Sequence, residues 1–594
     1  MHPISLVIVI GFFLVATISS LLLAQGKSRV AILAEKMSQP LLFLSISLVL
    51  ILLWDGRFLV SSNIGFLDWK KEIYFFHFLR SSLTEYGELP LSFVFLPKSV
   101  SAYPTLSKSL SYWANPEVLT FSPFLILLPF LSTVAFLKTY FFLHLVIGAI
   151  GIFLLSKRLG FSLEEGLIFF VLTLLNPWVV QHLAIGYKPW IQFCVLPLIV
   201  AMLMNHRIGI KELIIASGMN ALVVYGGGLH LFLWFNGTIA VFCLIHALRR
   251  RTLRLLSKVS LFYLLTGLLV LPKVIAVLAV FRGWNREILG SYSSLSDLWG
   301  LLTDTNAPLY SFPLSYNIYG VNLYDGSMIT GQWFIVLLAL CIAFSVYRFF
   351  QSKKQKSGNL FHFPSFEVVV TALIFILLGW KGIWPALANI VPLLSVEKYP
   401  WRFLGPAVFL LITFVLWECS TLTKTVGRPT LRRVFIIVLF APTIFTMYAR
   451  NQLFVNVATK QPDTLAGFSL RSAFDRYGIL PNTKSTPNRI IIYPTTDGQV
   501  SLPWLDRSFL SDFRIKNGQL VDSTGSKGAN LGFIDKTQPI VIRPKDFYAT
   551  PLITLALFAF MGVIYLVWRR KEENERAAHN HPMQLTGSSS TQDR

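Results

Sequence analysis

Apolar positions in this chain come in long unbroken runs, not in the alternation of a half-buried strand or the single stripe of a surface helix. About 20 consecutive apolar residues carry a helix across the hydrocarbon core of a bilayer. Such runs fall near 3–24, 38–55, 133–155, 166–182, 190–204, 211–228, 229–247, 258–281, 332–350, 366–380, 403–422, 433–449 and 549–568, about thirteen in all. The run at 190–204 is short, which predicts a tilted or broken span. The first, in MHPISLVIVIGFFLVATISSLLLA, has no basic region before it and no small-residue cleavage site, so it reads as a retained span. The pattern predicts an all-α polytopic membrane protein.

Basic residues orient it. Lys27, Arg29 and Lys36, then Lys157 and Arg158, His206, Arg207 and Lys211, Arg249–Arg251 with Arg254 and Lys258, Lys353, Lys354 and Lys356, Lys424, Arg428, Arg432 and Arg433, and Arg569, Arg570 and Lys571 lie in short connections. With thirteen spans all of these share one face, which the positive-inside bias marks as cytoplasmic. The N-terminus is then outside.

Four longer segments fall on the opposite face: 56–132, 282–331, 381–402 and 450–548. In the last, RIIIYP, QVSLPWL, FRIKNGQL and QPIVIRP are separated by turn residues and read as short strands of a small extracytoplasmic β domain before the last helix. GIWPALANIVPLL, in the third, is too short and Pro-broken to span and predicts an interfacial or re-entrant piece. The organisation expected is two spans over 1–55, an outer loop over 56–132, a helical core over 133–449, the β-rich domain over 450–548, a last span over 549–571 and a disordered cytoplasmic tail over 572–594.

Composition changes the picture little. The chain is 54% hydrophobic and 14% charged, with a mean hydropathy of +0.61, against about a quarter charged in soluble proteins. Its net charge of +23 would suggest nucleic acid in a soluble protein; here it follows from the basic connections, so no nucleic-acid partner is expected. Cys194, Cys243, Cys341 and Cys419 sit in apolar runs without metal spacing and read as small core residues.

The candidate chemistry gathers on the outer face. Asp68 opens the first outer loop in GFLDWKKEIYFFHFLR, with Glu72 and Phe76 at helical spacing and His77 and Arg80 close by. A carboxylate there suits a general base; a helix N-cap or a solvated loop residue has the same signature. Lys188 in GYKPW and His230 after Gly226–Gly228 lie in short outer turns, where a phosphate cradle and a plain turn are both open and no Walker spacing is present. Glu397, Lys398 and Arg402 stand at the outer mouth of a span, where basic residues are disfavoured; they either snorkel to lipid phosphates or bind the phosphate of a lipid-linked substrate. The loop 282–331, with Asp297, Asp304, Asp325 and many Tyr and Asn residues, suits sugar recognition and equally an interface. Asp68 with Glu72 or Glu117 offers oxygen to a divalent cation, but no ligand set is apparent. HExxH, CxxC, P-loop and GxSxG motifs are absent.

The order of these landmarks resembles the YfhO-type bacterial membrane proteins of the C-type superfamily of multi-span glycosyltransferases. The resemblance runs through Asp68 and Tyr74, Leu89-Pro90, Ala114-Asn115-Pro116-Glu117, Phe121-Ser122-Pro123, Gly228-Leu229-His230, Lys398-Tyr399-Pro400-Trp401-Arg402-Phe403 and the β region Gln499–Pro544. Leu91-Ser92-Phe93 stands where the family has Trp-Asn-Pro, and the shorter β region lacks a Pro-Gly-Trp element. The resemblance implies a cell-membrane enzyme that moves a sugar from a polyprenyl-phosphate donor to an extracytoplasmic glycan, lipid or protein acceptor, with an inverting outcome. It implies Asp68 as base, Arg402, Lys398, Lys188 and His230 on the donor phosphate, and Tyr74, His77, Glu117 and Asp325 on substrate. A lipid-linked saccharide flippase and a non-catalytic scaffold of an envelope assembly complex are the competing readings.

Overall fold

The structure, a computed structural model, describes residues 29–65, 68–93, 111–204, 209–281, 291–303, 315–318, 321–324, 328, 330–355, 365–390, 399–424, 429–460, 469, 471–472, 483–486, 488–494, 499–506, 513–521, 528–544 and 549–580. The first expected span, 3–24, lies outside them, as do Lys398 and Asp325.

Sixteen α-helices are found among the described residues: α1 (Arg29–Val60), α2 (Trp69–Tyr86), α3 (Thr133–Leu159), α4 (Leu163–Leu174), α5 (Pro177–Ala184), α6 (Leu196–Leu203), α7 (Ile210–Tyr225), α8 (Leu229–Arg250), α9 (Arg254–Phe281), α10 (Leu295–Thr303), α11 (Gln332–Gln355), α12 (Ser365–Leu378), α13 (Trp384–Ile390), α14 (Leu404–Thr423), α15 (Pro429–Ala458) and α16 (Ala549–Asn580). Eight stretches are long and apolar enough to cross a membrane, and Lys188–Leu203, Gln332–Arg348 and Phe366–Leu378 are shorter apolar helices. The chain is a multi-pass membrane protein by these helices, with lipid as its surroundings.

Proline and its neighbours explain where helices break. The expected span 166–182 is two helices, because Asn176 caps the second through Trp178 N–H at 3.2 Å and Pro177 takes its first position. Before α6 the chain runs as a 3-10 helix over Lys188–Val195, so the short run at 190–204 is a broken element. The span expected over 211–228 ends at Tyr225, where Gly226–Gly228 turn the chain into α8. The last helix continues to Asn580, beyond the boundary expected at 571, since KEENERAAHN is rich in helix formers. At α4, Ser162 and Glu165 form a reciprocal capping box.

The core packs α3 against α1, α4 and α6, α15 against α5 and α1, α12 against α14, and α9 against α7 and α16. Tyr225 ties three of these elements, donating to Leu269 O at 2.8 Å and meeting Thr554 Oγ1 at 3.0 Å. Helix α2 is more deeply covered than an interfacial helix would be: Tyr74, Phe75, Phe76, Phe78 and Leu79 are all buried.

The C-terminal segment forms β3 (Thr483–Thr486), β4 (Arg489–Ile492), β5 (Gln499–Asp506), β6 (Phe513–Lys516), β7 (Gly518–Leu520), β8 (Gly528–Phe533) and β9 (Ile540–Pro544). They make two antiparallel sheets, ordered β3-β4-β9-β6 and β5-β8-β7. Ile490 faces Ile542 and Ile492 faces Ile540, and all four are buried, as period-two patterning requires. A further hairpin, β1 (Ser315–Ile318) with β2 (Val321–Tyr324), lies in the loop 282–331, where no strand was expected. The β region grips the end of α2 and the segment after it. Asn488 donates to Leu89 O at 2.8 Å and accepts from Leu91 N–H at 2.7 Å, while Glu85 accepts from Arg471 N–H at 2.8 Å.

At the basic helix ends, buried carboxylates meet arginines. Glu165 pairs with Arg432 at 2.8 Å, Glu367 with Arg249 at 2.5 Å, and Glu418 with Arg348 at 2.8 Å. Removing one member strands the other in apolar surroundings. Arg348→Met is expected to destabilise the protein by about 3–5 kcal/mol. The double variant Arg348→Met/Glu418→Gln should recover most of that loss in denaturant unfolding of the detergent-solubilised protein.

Candidate functional site

The site lies at the end of the bundle opposite the arginine-rich helix ends, and α2 starts it. Asp68 occupies the position before the first helical residue, but its side chain makes no capping bond. The backbone carbonyl of Asp68 accepts from Lys71 and Glu72, and its own N–H donates to Ile185 O at 3.2 Å. The carboxylate therefore does not cap the helix. Its side chain is 32% exposed.

One turn on, Lys71 is buried among three carboxylates. Its Nζ lies 2.6 Å from Glu117 Oε2, 3.6 Å from Glu72 Oε1 and 3.7 Å from Asp68 Oδ2. Burial, the largest single effect, opposes its charge; Glu117, Asp68 and Glu72 together overcome that and raise it above the ordinary lysine value. Burial raises the carboxyl of Glu72, outweighing Lys188 and Lys71. Exposure falls from Asp68 through Glu117, at 18%, to Glu72, at 2%, so Asp68 is the most open of the three.

Glu117 belongs to a strap, residues 111–120, whose backbone carbonyls are held by lysines from the bundle. Lys273, buried in α9, donates to Trp113 O at 2.6 Å and Asn115 O at 2.8 Å. Lys188 donates to Glu117 O at 2.5 Å and lies 3.3 Å from Glu72 Oε2. The strap lies against the Gly226–Gly228 turn. Gly227 has φ 86°, and a Cβ there would fall 2.2 Å from Glu117 O and 3.0 Å from Lys188 Nζ. The glycines thus serve both a turn and a close backbone approach.

Arg402 meets the turn that carries Ile185 and Lys188 at Tyr187. Its guanidinium lies over Tyr187 at 5.2 Å and Tyr399 at 4.4 Å from the ring centroids, a cation–π sandwich. Beside it runs an aromatic wall: His182 to Trp190 at 4.3 Å, Trp190 to Trp234 at 5.3 Å and Trp234 to Phe403 at 6.0 Å. His230 borders that wall, half-buried, its ring 6.4 Å from Trp234.

Of the residues singled out by sequence, Asp68, Glu117 and Lys188 therefore meet in one cluster, and Arg402 and His230 line its neighbourhood. Tyr74 does not share that face; it packs with Phe75, Phe78 and Phe93 in an aromatic core. His77 is buried and bonds Thr133 Oγ1 through Nδ1 at 2.9 Å, which ties α2 to α3. Lys71 and Lys273 escaped the sequence reading. The spacing of Lys71 from Asp68 was the available signal for one, and a lysine next to Pro272 inside an apolar run for the other. Among the described residues no group of three or more His, Cys, Asp and Glu side chains is arranged to hold a metal ion. The carboxylates that would supply one converge on an ammonium instead. The chain matches no protein-family model, no curated protein and no solved structure.

Two outcomes follow from this geometry. The native state holds the Glu72 proton to a higher pH than the unfolded chain does. Stability should therefore fall as pH rises from the ordinary carboxylate range through the raised value and level off above it. Thermal unfolding of Glu72→Gln should lack that decline. Gly227→Ala should lose about 1–3 kcal/mol from backbone strain alone, with a further loss from displacing the strap, read as a lowered unfolding midpoint.

Proposed function

We propose that the chain is an integral membrane glycosyltransferase, a YfhO-like member of the C-type superfamily. It moves a sugar from a polyprenyl-phosphate donor to a hydroxyl of an extracytoplasmic glycan, lipid or protein acceptor, with inversion. The observation that carries this reading is the turn Ile185–Lys188. Its Ile185 carbonyl receives the Asp68 N–H, and its Tyr187 ring lies under the Arg402 guanidinium. A partly exposed carboxylate and a guanidinium thus belong to residues tied to one short turn, which supports displacement at an anomeric carbon with a phosphate as leaving group.

In this reading the acceptor hydroxyl gives its proton to Asp68 as its oxygen attacks the anomeric carbon. The bond from that carbon to the lipid phosphate breaks, and the departing phosphate leaves with its electron pair beside Arg402, whose planar fork suits it. Lys188 acts by holding Glu117 and Glu72 in place, since both contacts occupy its ammonium. About thirteen spans, an outer N-terminus and residence in the bacterial cell membrane, with the site facing outward, complete the proposal.

The test is transfer by purified, reconstituted protein from labelled polyprenyl-phosphate sugars, with a membrane extract as acceptor source. Wild type should consume donor. Asp68→Asn should lose about 10²–10⁴-fold in rate while remaining folded, and Arg402→Gln about 10²–10³-fold. Full activity in Asp68→Asn would remove the base. Carrier-dependent movement of sugar across vesicles without cleavage of its bond to phosphate would favour a flippase instead.

A further inference from the structure

The three carboxylates of the outer site have a resident cation of their own. We propose that the Lys71 ammonium permanently fills the place in which such a cluster would take a divalent metal ion, and that Lys71 is thereby a positioning residue for Asp68. The second half rests on the reading of Asp68 as the base; the first does not.

The geometry is that of an ammonium site. Lysine offers three N–H donors and no acceptor, and three carboxylates approach Nζ, two from the start of α2 and one from the strap. Asp68 lies one turn before it, Glu72 is its neighbour, and Glu117 arrives from the strap. The separations of 2.6, 3.6 and 3.7 Å are those of charge-assisted bonds and close ion pairs. Magnesium and calcium draw oxygens to about 2.0–2.6 Å and take six or more of them. The tether keeps the cation in the site.

The unequal spacing has a consequence for chemistry. Lys71 is closest to Glu117 and loosest on Asp68, so it orients the Asp68 carboxylate without occupying it. When Asp68 takes up the acceptor proton, its negative charge is lost. The buried ammonium then still has Glu117 at 2.6 Å and Glu72 at 3.6 Å. The base can cycle between its two forms without stranding a buried charge.

The experiment is a Mn²⁺ titration followed by electron paramagnetic resonance, on the full chain in a non-ionic detergent. Wild type and Lys71→Arg should leave Mn²⁺ free. Lys71→Met should remove about one equivalent from solution, and Lys71→Met/Glu117→Gln should lose that binding. Wild type that takes up Mn²⁺, with the uptake abolished in Asp68→Asn, would overturn the proposal; so would a folded Lys71→Met that binds none. The wild-type and Lys71→Arg arms decide even if Lys71→Met does not fold. In donor-consumption assays wild type should be indifferent to EDTA, Lys71→Arg should keep its rate, and Lys71→Met should fall at least tenfold and regain activity with Mn²⁺. EDTA-sensitive wild type restored by Mn²⁺ would also overturn it. If wild type consumes no donor, the transferase reading fails, and the titration, which needs no substrate, still decides the place of Lys71.

Discussion

A charged group leaves water only if its partners go with it. That constraint organises the end of the bundle that carries Asp68. Lys71, Lys188 and Lys273 are all buried, and they come from three different elements. Their partners are concentrated in one place, the strap 111–120 and the start of α2. Because an unpaired ammonium would cost several kcal/mol, the strap has little freedom in where it lies. The Gly226–Gly228 turn makes room for it, and its position sets Glu117 against Lys71 and so fixes the surroundings of Asp68. The opposite face obeys the same rule with the signs exchanged: there buried glutamates are the scarce groups, and arginines at helix ends come to them.

Broken helices cooperate with this clamp. Backbone that leaves the α-helix inside a membrane protein is tolerated where protein or a cavity satisfies its polar groups. The 3-10 stretch Lys188–Val195 begins at the charged cluster, and the short helix that starts at the Asn176-Pro177 break leads into it. They bring Ile185, Tyr187 and Lys188 into a single turn, which continuous helices would have spread along the bundle. The β region adds a grip from outside through Asn488 and Glu85, so the helix that carries Asp68 is held at both ends.

Much of the architecture was legible because bilayer physics writes it in hydropathy. Apolar runs and basic connections located the helices, and period-two runs such as RIIIYP and QPIVIRP located strands that pair as β4 and β9. Helix ends were less legible: the Asn176-Pro177 break sits inside an apolar run that hydropathy alone treats as continuous, and the hairpin Ser315–Tyr324 was masked by a loop-like composition. In the site, Arg402 stood out because a basic residue is disfavoured at that face, and Asp68 because it opens the segment after the first two spans. Lys273 did not, because its partners Trp113 and Asn115 lie about 160 positions away and only tertiary packing brings them close. Tyr74 erred in the other direction: its place in a family-like order of landmarks pointed to substrate, while packing puts it among phenylalanines.

The central claim is that a lipid-linked phosphate sits beside the Ile185–Lys188 turn, between Asp68 and Arg402. Photo-crosslinking with a diazirine-bearing polyprenyl phosphate, followed by peptide mapping, tests it most directly. The account predicts label on peptides containing 185–190 and 399–403, reduced in Arg402→Gln and competed by unlabelled polyprenyl phosphate. Label spread along the lipid-facing helices, or gathered at the arginine-rich helix ends and indifferent to Arg402, would contradict it.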